Sequence, residues 1–251
     1  MVKAIKITLL SIVCVALVCF MVALIRNGFS FENMKRKLIY NETYEVTNIE
    51  EIKIKSRSSD INIYEADDDK ITVKVYGQEK NKVDVTNEDG KLTINLKNKS
   101  TVCFGICLGN KMEIYLPKDY EGSFDIETTS GDIESELKTY NDYTINVTSG
   151  DIELNNVKSL VGHATSGDIE IDKLSSYIDF KTTSGDIDID EFTVNKNSSI
   201  KVTSGDVTIK KCENAYVEAS AKSGDIDVNK NDRHAEFELK IKTTSGDIEI
   251  N

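Results

Sequence analysis

Seven carboxylates recur at nearly constant spacing along this chain, each within the tripeptide Ser-Gly-Asp. The tripeptide begins at residues 130, 149, 166, 184, 204, 223 and 245, so the intervals are 19, 17, 18, 20, 19 and 22 residues. The aspartates are Asp132, Asp151, Asp168, Asp186, Asp206, Asp225 and Asp247. Carboxylates repeated in this way have three chemical uses: they bind cations, accept backbone N–H groups, or attract a basic partner.

The three uses make different demands on the repeat. Calcium prefers oxygen ligands, so the seven aspartates are candidate ligands for Ca²⁺. It is the only cofactor that the pattern suggests. The calcium-binding nonapeptide repeat carries several glycines, whereas each copy here has one glycine and about twice that length. Acceptance of backbone N–H groups, as in an Asx turn, is the structural alternative, and docking of a basic partner is the third. All three remain open from the sequence.

Apolar residues around each tripeptide indicate how the aspartates are positioned. Before Ser149 they alternate at Ile145 and Val147, and after it they fall at Ile152 and Leu154. The step from Ser149 to Ile152 is odd, so the alternation shifts by one residue, which a regular strand does not allow. Glycine accepts positive φ, and we therefore expect a corner or bulge in every copy. The predicted corner glycines are Gly131, Gly150, Gly167, Gly185, Gly205, Gly224 and Gly246.

Strand, corner, strand and loop together fill one repeat, and a fixed period of this size is typical of stacked units. The sequence therefore predicts an all-β fold, a β-solenoid of about seven or eight coils. The segment "SSDINI" at 58–63 is a degenerate eighth copy in which Ser59 replaces the glycine. Threonines before the serines form an exposed ladder that suits strand pairing.

The same alternation directs the aspartates outward, beside a second acidic position in most copies. These positions are Glu134, Glu153, Glu170, Asp188, Asp227 and Glu249. Stacking would align 13 acidic residues on one flank and give the solenoid an acidic surface. The whole chain has 31 basic and 43 acidic residues, a formal charge of −12, which argues against nucleic acid as a partner.

The remaining sequence divides into a membrane anchor and a β-rich section. Residues 7–25 carry no charge and are long enough to cross a bilayer as a helix, so we expect a single-pass anchor after a short tail at 1–6. Residues 26–44 are polar and are predicted to be a juxtamembrane linker. Period-two alternation at 45–122 predicts the N-terminal β section of the solenoid, before the repeats at 123–251.

The positive charges around the anchor favour a cytoplasmic repeat domain, since Arg26, Lys35, Arg36 and Lys37 outnumber Lys3 and Lys6.

Cys103 and Cys107 are separated by three residues, so they form either a disulfide at a hairpin tip or two reduced thiols. Both questions stay open.

"MEIYLP", "FDIETTSGDIES" and the repeats that follow resemble the bacterial putative-adhesin family, a domain of unknown function. The resemblance covers residues 45–251. It implies a β-solenoid, in many members anchored in the membrane with the repeats outside the cell, and in some linked to envelope stress. It implies no catalytic residue. On this basis we expect the repeat domain to be extracellular, against the count of positive charges.

Three classes of function fit these features unequally. A non-enzymatic, membrane-anchored interaction protein fits best. A polysaccharide-acting β-helix enzyme needs convergent acid and base groups, but the repeats contain one arginine, Arg233, and His163 and His234 lie in separate copies. A scaffold that polymerises through the C-terminal end of the solenoid is the third class, because "SGDIEIN" ends on a strand edge.

Overall fold

Eighteen strands and no helix make up the regular structure of residues 36–47, 49–97, 109–229 and 231–251, which are the residues described by a computed structural model. The first nine strands are β1 (Lys37–Glu45), β2 (Glu51–Ala66), β3 (Lys70–Gly77), β4 (Lys82–Glu88), β5 (Lys91–Lys97), β6 (Asn110–Pro117), β7 (Ser123–Ser130), β8 (Ile133–Ser135) and β9 (Asn141–Ser149). The other nine are β10 (Ile152–Ser166), β11 (Ile169–Ser184), β12 (Ile187–Thr193), β13 (Ser198–Ser204), β14 (Val207–Glu213), β15 (Ala215–Ser223), β16 (Ile226–Val228), β17 (Phe237–Ser245) and β18 (Ile248–Ile250).

Parallel, in-register pairing stacks these strands into coils. Ser166 in β10 pairs with Ser149 on one side and Ser184 on the other, so successive corners lie above one another. Strands before the corners form what we call the leading wall, and strands after the corners form the trailing wall. The leading wall comprises residues 51–58, 123–130, 141–149, 157–166, 179–184, 198–204, 215–223 and 237–245. The predicted all-β, solenoid-like architecture is confirmed.

The last two coils do not stack in chain order. Strand β13 pairs with β17 and β14 pairs with β18, while β15 and β16 pair with the outer side of β17 and β18. The repeat nearest Asn251 is therefore inside the stack, and the repeat at 215–228 is at its end. The expectation that the C-terminal repeat forms the end of the solenoid was wrong. The 22-residue interval before Ser245, the longest in the series, leaves chain for this crossing.

The interior explains which coil is at the end. Ile145, Ile152 and Ile187, which lie in coils inside the stack, are completely buried between the walls. The end coil instead has Ala219 and Ala221 at inward positions, both only partly buried. Its Ile226, which alternation predicts to face inward, is 45% exposed because no further coil covers it. A coil with small inward side chains has little apolar surface to bury, so leaving it uncovered at the end costs the least free energy.

The opposite end of the stack begins with β2. Ser58 pairs with Ser130, and Ile61 donates its N–H to Asp132 O over 2.8 Å, so "SSDINI" lies level with the first corner, as predicted for a degenerate copy. Ser59 does not have the positive φ of the corner glycines, and β2 continues through it. Beyond β2 lie β5 and β6, which pair with it in parallel. Strand β4 pairs antiparallel with β5, and β3 with β6, so this end is covered by strands of opposite direction.

The assignment of residues 26–44 to a linker was wrong for its second half. Strand β1 occupies Lys37–Glu45 and pairs antiparallel with β3. Its Ile39, Tyr40 and Tyr44 side chains pack as partly buried residues against the core, whereas Leu38 is exposed. Alternation in "KLIYNETYE" is weak because both faces carry polar residues, as is usual for an edge strand that buries little surface.

Candidate functional site

The Ser-Gly-Asp corners form the most regular feature of the surface. All seven corner glycines adopt φ between +118° and +146°, a region that side-chain-bearing residues rarely enter. A Cβ on Gly185 would also overlap the carbonyl oxygen of Gly167 in the adjacent coil. Backbone bonds join the corners, such as Gly185 N to Ser204 O over 3.1 Å. Glycine is therefore required both by the backbone conformation and by the close approach of neighbouring coils.

The corner aspartates form a hydrogen-bonded ladder between coils. Asp206 donates its backbone N–H to Oδ1 of Asp186 over 2.8 Å, and Asp186 donates to Oδ1 of Asp168 over 2.9 Å. The same bond, at 2.7–3.0 Å, links the other neighbours in the stack, from Asp132 to Asp225. The carboxylates accept backbone N–H groups, as in the structural alternative, but the donor is the aspartate of the next coil rather than the local turn.

Outside this ladder, the second acidic row continues along the trailing wall. Glu153 pairs with Glu134 on one side and Glu170 on the other. Partial burial, together with the negative charges of Glu170 and Glu134, raises the pKa of Glu153 above its ordinary value. In the described part of the chain, no three His, Cys, Asp or Glu side chains come together as a metal site requires.

The leading wall carries a row of the opposite charge, which the sequence analysis missed. Lys181 pairs with Lys201, and Lys201 pairs with Lys242, in three consecutive coils. We call these three residues the lysine row. Its signal was in the sequence, since lysine precedes the serine by three places in these copies.

The two histidines are not part of a common site. His163 is exposed on β10 and pairs with Lys181 at one end of the lysine row. His234 lies between β16 and β17, where its backbone N–H bonds to Asp232. They therefore provide no convergent acid–base pair around the corner serines.

One side-chain amide covers part of the exposed end of the stack. Asn231 Oδ1 accepts the backbone N–H of Val217 over 3.0 Å, and its Nδ2 donates to Val217 O over 3.0 Å. This pair of bonds imitates the pairing of a further strand on β15. Ile226 in β16 stays exposed beside it.

The corners and walls described above recur in a known family. The sequence pattern of the Toastrack DUF4097 family matches residues 49–251. The chain belongs to this family. The match covers the first coil at β2 as well as the Ser-Gly-Asp repeats, and it confirms the predicted membership of a family of unknown function. No curated protein has significant similarity to the chain.

Solved structures of three proteins resemble this Toastrack chain. A putative cell adhesion protein from Clostridium sporogenes is 13% identical, with 85% of this chain and 99% of that chain covered and a TM-score of 0.36. A putative adhesin from Bacteroides fragilis is 18% identical, with 86% and 99% covered and a TM-score of 0.37. A putative adhesin from Parabacteroides merdae is 12% identical, with 84% and 96% covered and a TM-score of 0.33.

The predicted anchor at residues 7–25 lies outside the described residues, as do the tail at 1–6, Cys103 and Cys107. Among the strands and loops from residue 36 onward that are described, there is no helix with the length and apolarity to span a bilayer.

Proposed function

We propose that this Toastrack protein is a non-enzymatic interaction module that is anchored in the bacterial membrane through residues 7–25 and presents its solenoid outside the cell. One observation supports this proposal above all. Successive coils repeat the same outward positions: the corner aspartates lie in one file, and Glu170 pairs with Asp188 beside that file. A surface of this kind offers a partner many equivalent contacts at the spacing of stacked strands.

The arrangement of carboxylates favours binding over catalysis. A glycosidase places two carboxyl groups on opposite sides of the scissile bond, with one of them held protonated. Here the corner carboxylates lie in file, and each except Asp225 at the end of the stack accepts the N–H of the next coil, as Asp186 does from Asp206. Their lone pairs serve the stacking of the coils, and the acidic flank is a surface rather than a cleft.

Protease shaving of intact cells tests the proposed exposure. Cells that carry the full-length chain with a C-terminal epitope are treated with a protease before and after lysis. We expect loss of the epitope in intact cells, and we expect the untreated protein in the membrane fraction. Deletion of residues 1–25 should release it from that fraction. Protection of the epitope until lysis would contradict the extracellular orientation and would favour the orientation that the positive charges predict.

End-to-end association is a second candidate, because one end of the stack has an incompletely covered edge. Ile226 is 45% exposed, and Asn231 occupies only the Val217 position of the β15 edge. Sedimentation velocity over a range of concentrations would detect filaments. Ile226→Lys should abolish them, whereas Tyr140→Lys, at a residue that is 44% exposed elsewhere, should not. A monomer at every concentration would exclude this candidate.

A further inference from the structure

The lysine row places three cations side by side on a protein with an overall charge of −12. Lys181, Lys201 and Lys242 are exposed and in register on the leading wall. Parallel strands bring such neighbours to within about 5 Å of each other. Like charges directly opposite each other on a sheet destabilise it. The arrangement therefore has a cost in the isolated protein, which a bound anion would offset.

These lysines also differ from their neighbours in their partners. Lys240, on the same strand as Lys242, forms ion pairs with Glu238 at 2.7 Å and Glu218 at 3.6 Å. On the trailing wall, Lys210 pairs with Asp190 at 2.6 Å. Within the described residues, no carboxylate forms an ion pair with the lysine row. Its ammonium groups are therefore available to a ligand.

The row lines a groove of about 870 Å³ that runs across the coils of the leading wall. Beside each lysine lies a threonine of the exposed ladder, Thr183, Thr203 or Thr244, and Lys222 takes the threonine position in the end coil. Lysine ammonium groups and threonine hydroxyls are the donors that proteins direct to phosphate oxygens. The groove thus repeats one ammonium and one hydroxyl group in each of three coils.

The shape and lining of the groove restrict the ligand further. The donors lie in a straight line, so a linear polymer running along the stack would contact every coil. No Phe, Tyr or Trp is among the lining residues, and proteins that bind single-stranded nucleic acid stack the bases on such side chains. These features favour a phosphate-bearing polymer without nucleobases.

We propose that the lysine row and its threonines bind a linear polymer that carries phosphate groups, laid along the stacking direction. This inference rests on the proposed function, since it names the class of partner that an exposed solenoid would meet. It assigns recognition to the leading wall, on the other side of the corner from the acidic rows of the trailing wall.

Fluorescence anisotropy tests the proposal, with the full-length chain in non-ionic detergent and labelled inorganic polyphosphate of defined length as the probe. The test variant is K181Q/K201Q/K242Q. The control is K173Q/K210Q/K211Q, which removes the same charge from exposed positions of the trailing wall. We expect the test variant to bind at least tenfold more weakly. Its plot of log affinity against log salt should be shallower by about two, as for the loss of three contacts to a single-stranded polyanion.

Three results would overturn the inference. They are undiminished binding by the test variant, equal loss in the control, or equally tight binding of polyglutamate or single-stranded DNA of matched charge. K181R/K201R/K242R should keep the binding, and circular dichroism should show all variants folded. The binding assay uses purified protein, so a negative result would contradict the polymer ligand and not the extracellular location. A negative shaving experiment would contradict the extracellular location and not the binding.

Discussion

Replacement of a corner glycine in the middle of the stack should be among the most destabilising single changes in this protein. Gly185 has φ +123°, where alanine is strained by about 1–3 kcal/mol. The new Cβ would also overlap Gly167 O, so the two coils must separate locally. Separation weakens bonds such as Gly167 N to Ser184 O, now 3.2 Å, at about 1 kcal/mol for each bond. We therefore expect Gly185→Ala to lower the free energy of unfolding by about 2–4 kcal/mol.

Gly109→Ala provides the matched control. There φ is not positive, and an added Cβ would meet only Ser58 Oγ at 3.8 Å, an ordinary van der Waals contact. Urea unfolding followed by circular dichroism gives both free energies, and we expect Gly109→Ala to differ from the natural protein by less than about 0.5 kcal/mol. If Gly185→Ala behaves like Gly109→Ala, the account of the corner as a glycine-only conformation is refuted.

Three further predictions concern the ladder, the acidic row and the order of coils. Asp186→Ala removes the acceptor of the Asp206 N–H and should cost about 1 kcal/mol, whereas Asp186→Asn keeps an acceptor oxygen and should cost less, as urea unfolding will measure. The folded state raises the pKa of Glu153, so this group opposes folding above that pKa and ceases to do so as pH falls through it. Glu153→Gln should therefore stabilise the protein at neutral pH, with the gain vanishing in acid. In hydrogen exchange, amides of β17 should be better protected than those of β15, since β17 is paired on both sides.

Each of these predictions has a definite contrary outcome. If alanine and asparagine at Asp186 destabilise the protein equally, the hydrogen bond from the Asp206 N–H is not the cause of the lost stability. A stability difference for Glu153→Gln that does not change with pH would show that its cause is not ionisation. Faster exchange in β17 than in β15 would indicate that the coils stack in chain order, with β17 at the end.

The corner could be predicted from the sequence because two independent signals coincide at the same residue. The alternation shifts between Ser149 and Ile152, and a glycine stands between them. The degenerate copy around Ser59 was also predictable, although Ser59 has a side chain, because the apolar spacing around it is kept. Local spacing of this kind is determined by which side chains must be buried, and the sequence contains that information directly.

Features that depend on which repeats pair with each other in the stack could not be predicted in the same way. "AKSGDIDV" and "TTSGDIEI" both fit the repeat, so the spacing of the motifs does not indicate that the later copy lies inside the stack. The donor to each aspartate was missed for the same reason, since the N–H of Asp206 is 20 residues away from the Asp186 carboxylate. The strand β1 was missed because it is an edge strand that buries little surface, so its sequence shows no clear alternation of apolar and polar residues.

The inverted order of the last two coils has a consequence for how the chain folds. Residues 215–223 leave the ribosome before residues 237–245, yet the later segment takes the position next to β13. Both segments end at a Ser-Gly-Asp corner and can pair in the same register, so they compete for the position next to β13 during folding. The later segment wins at equilibrium because Leu239 and Ile241 fill the space that Val217 and Ala219 would leave, an advantage of about 3 kcal/mol. Residues 215–223 can therefore pair with β13 before residues 237–245 are available. Refolding should include a slow phase in which the later segment replaces the earlier one next to β13.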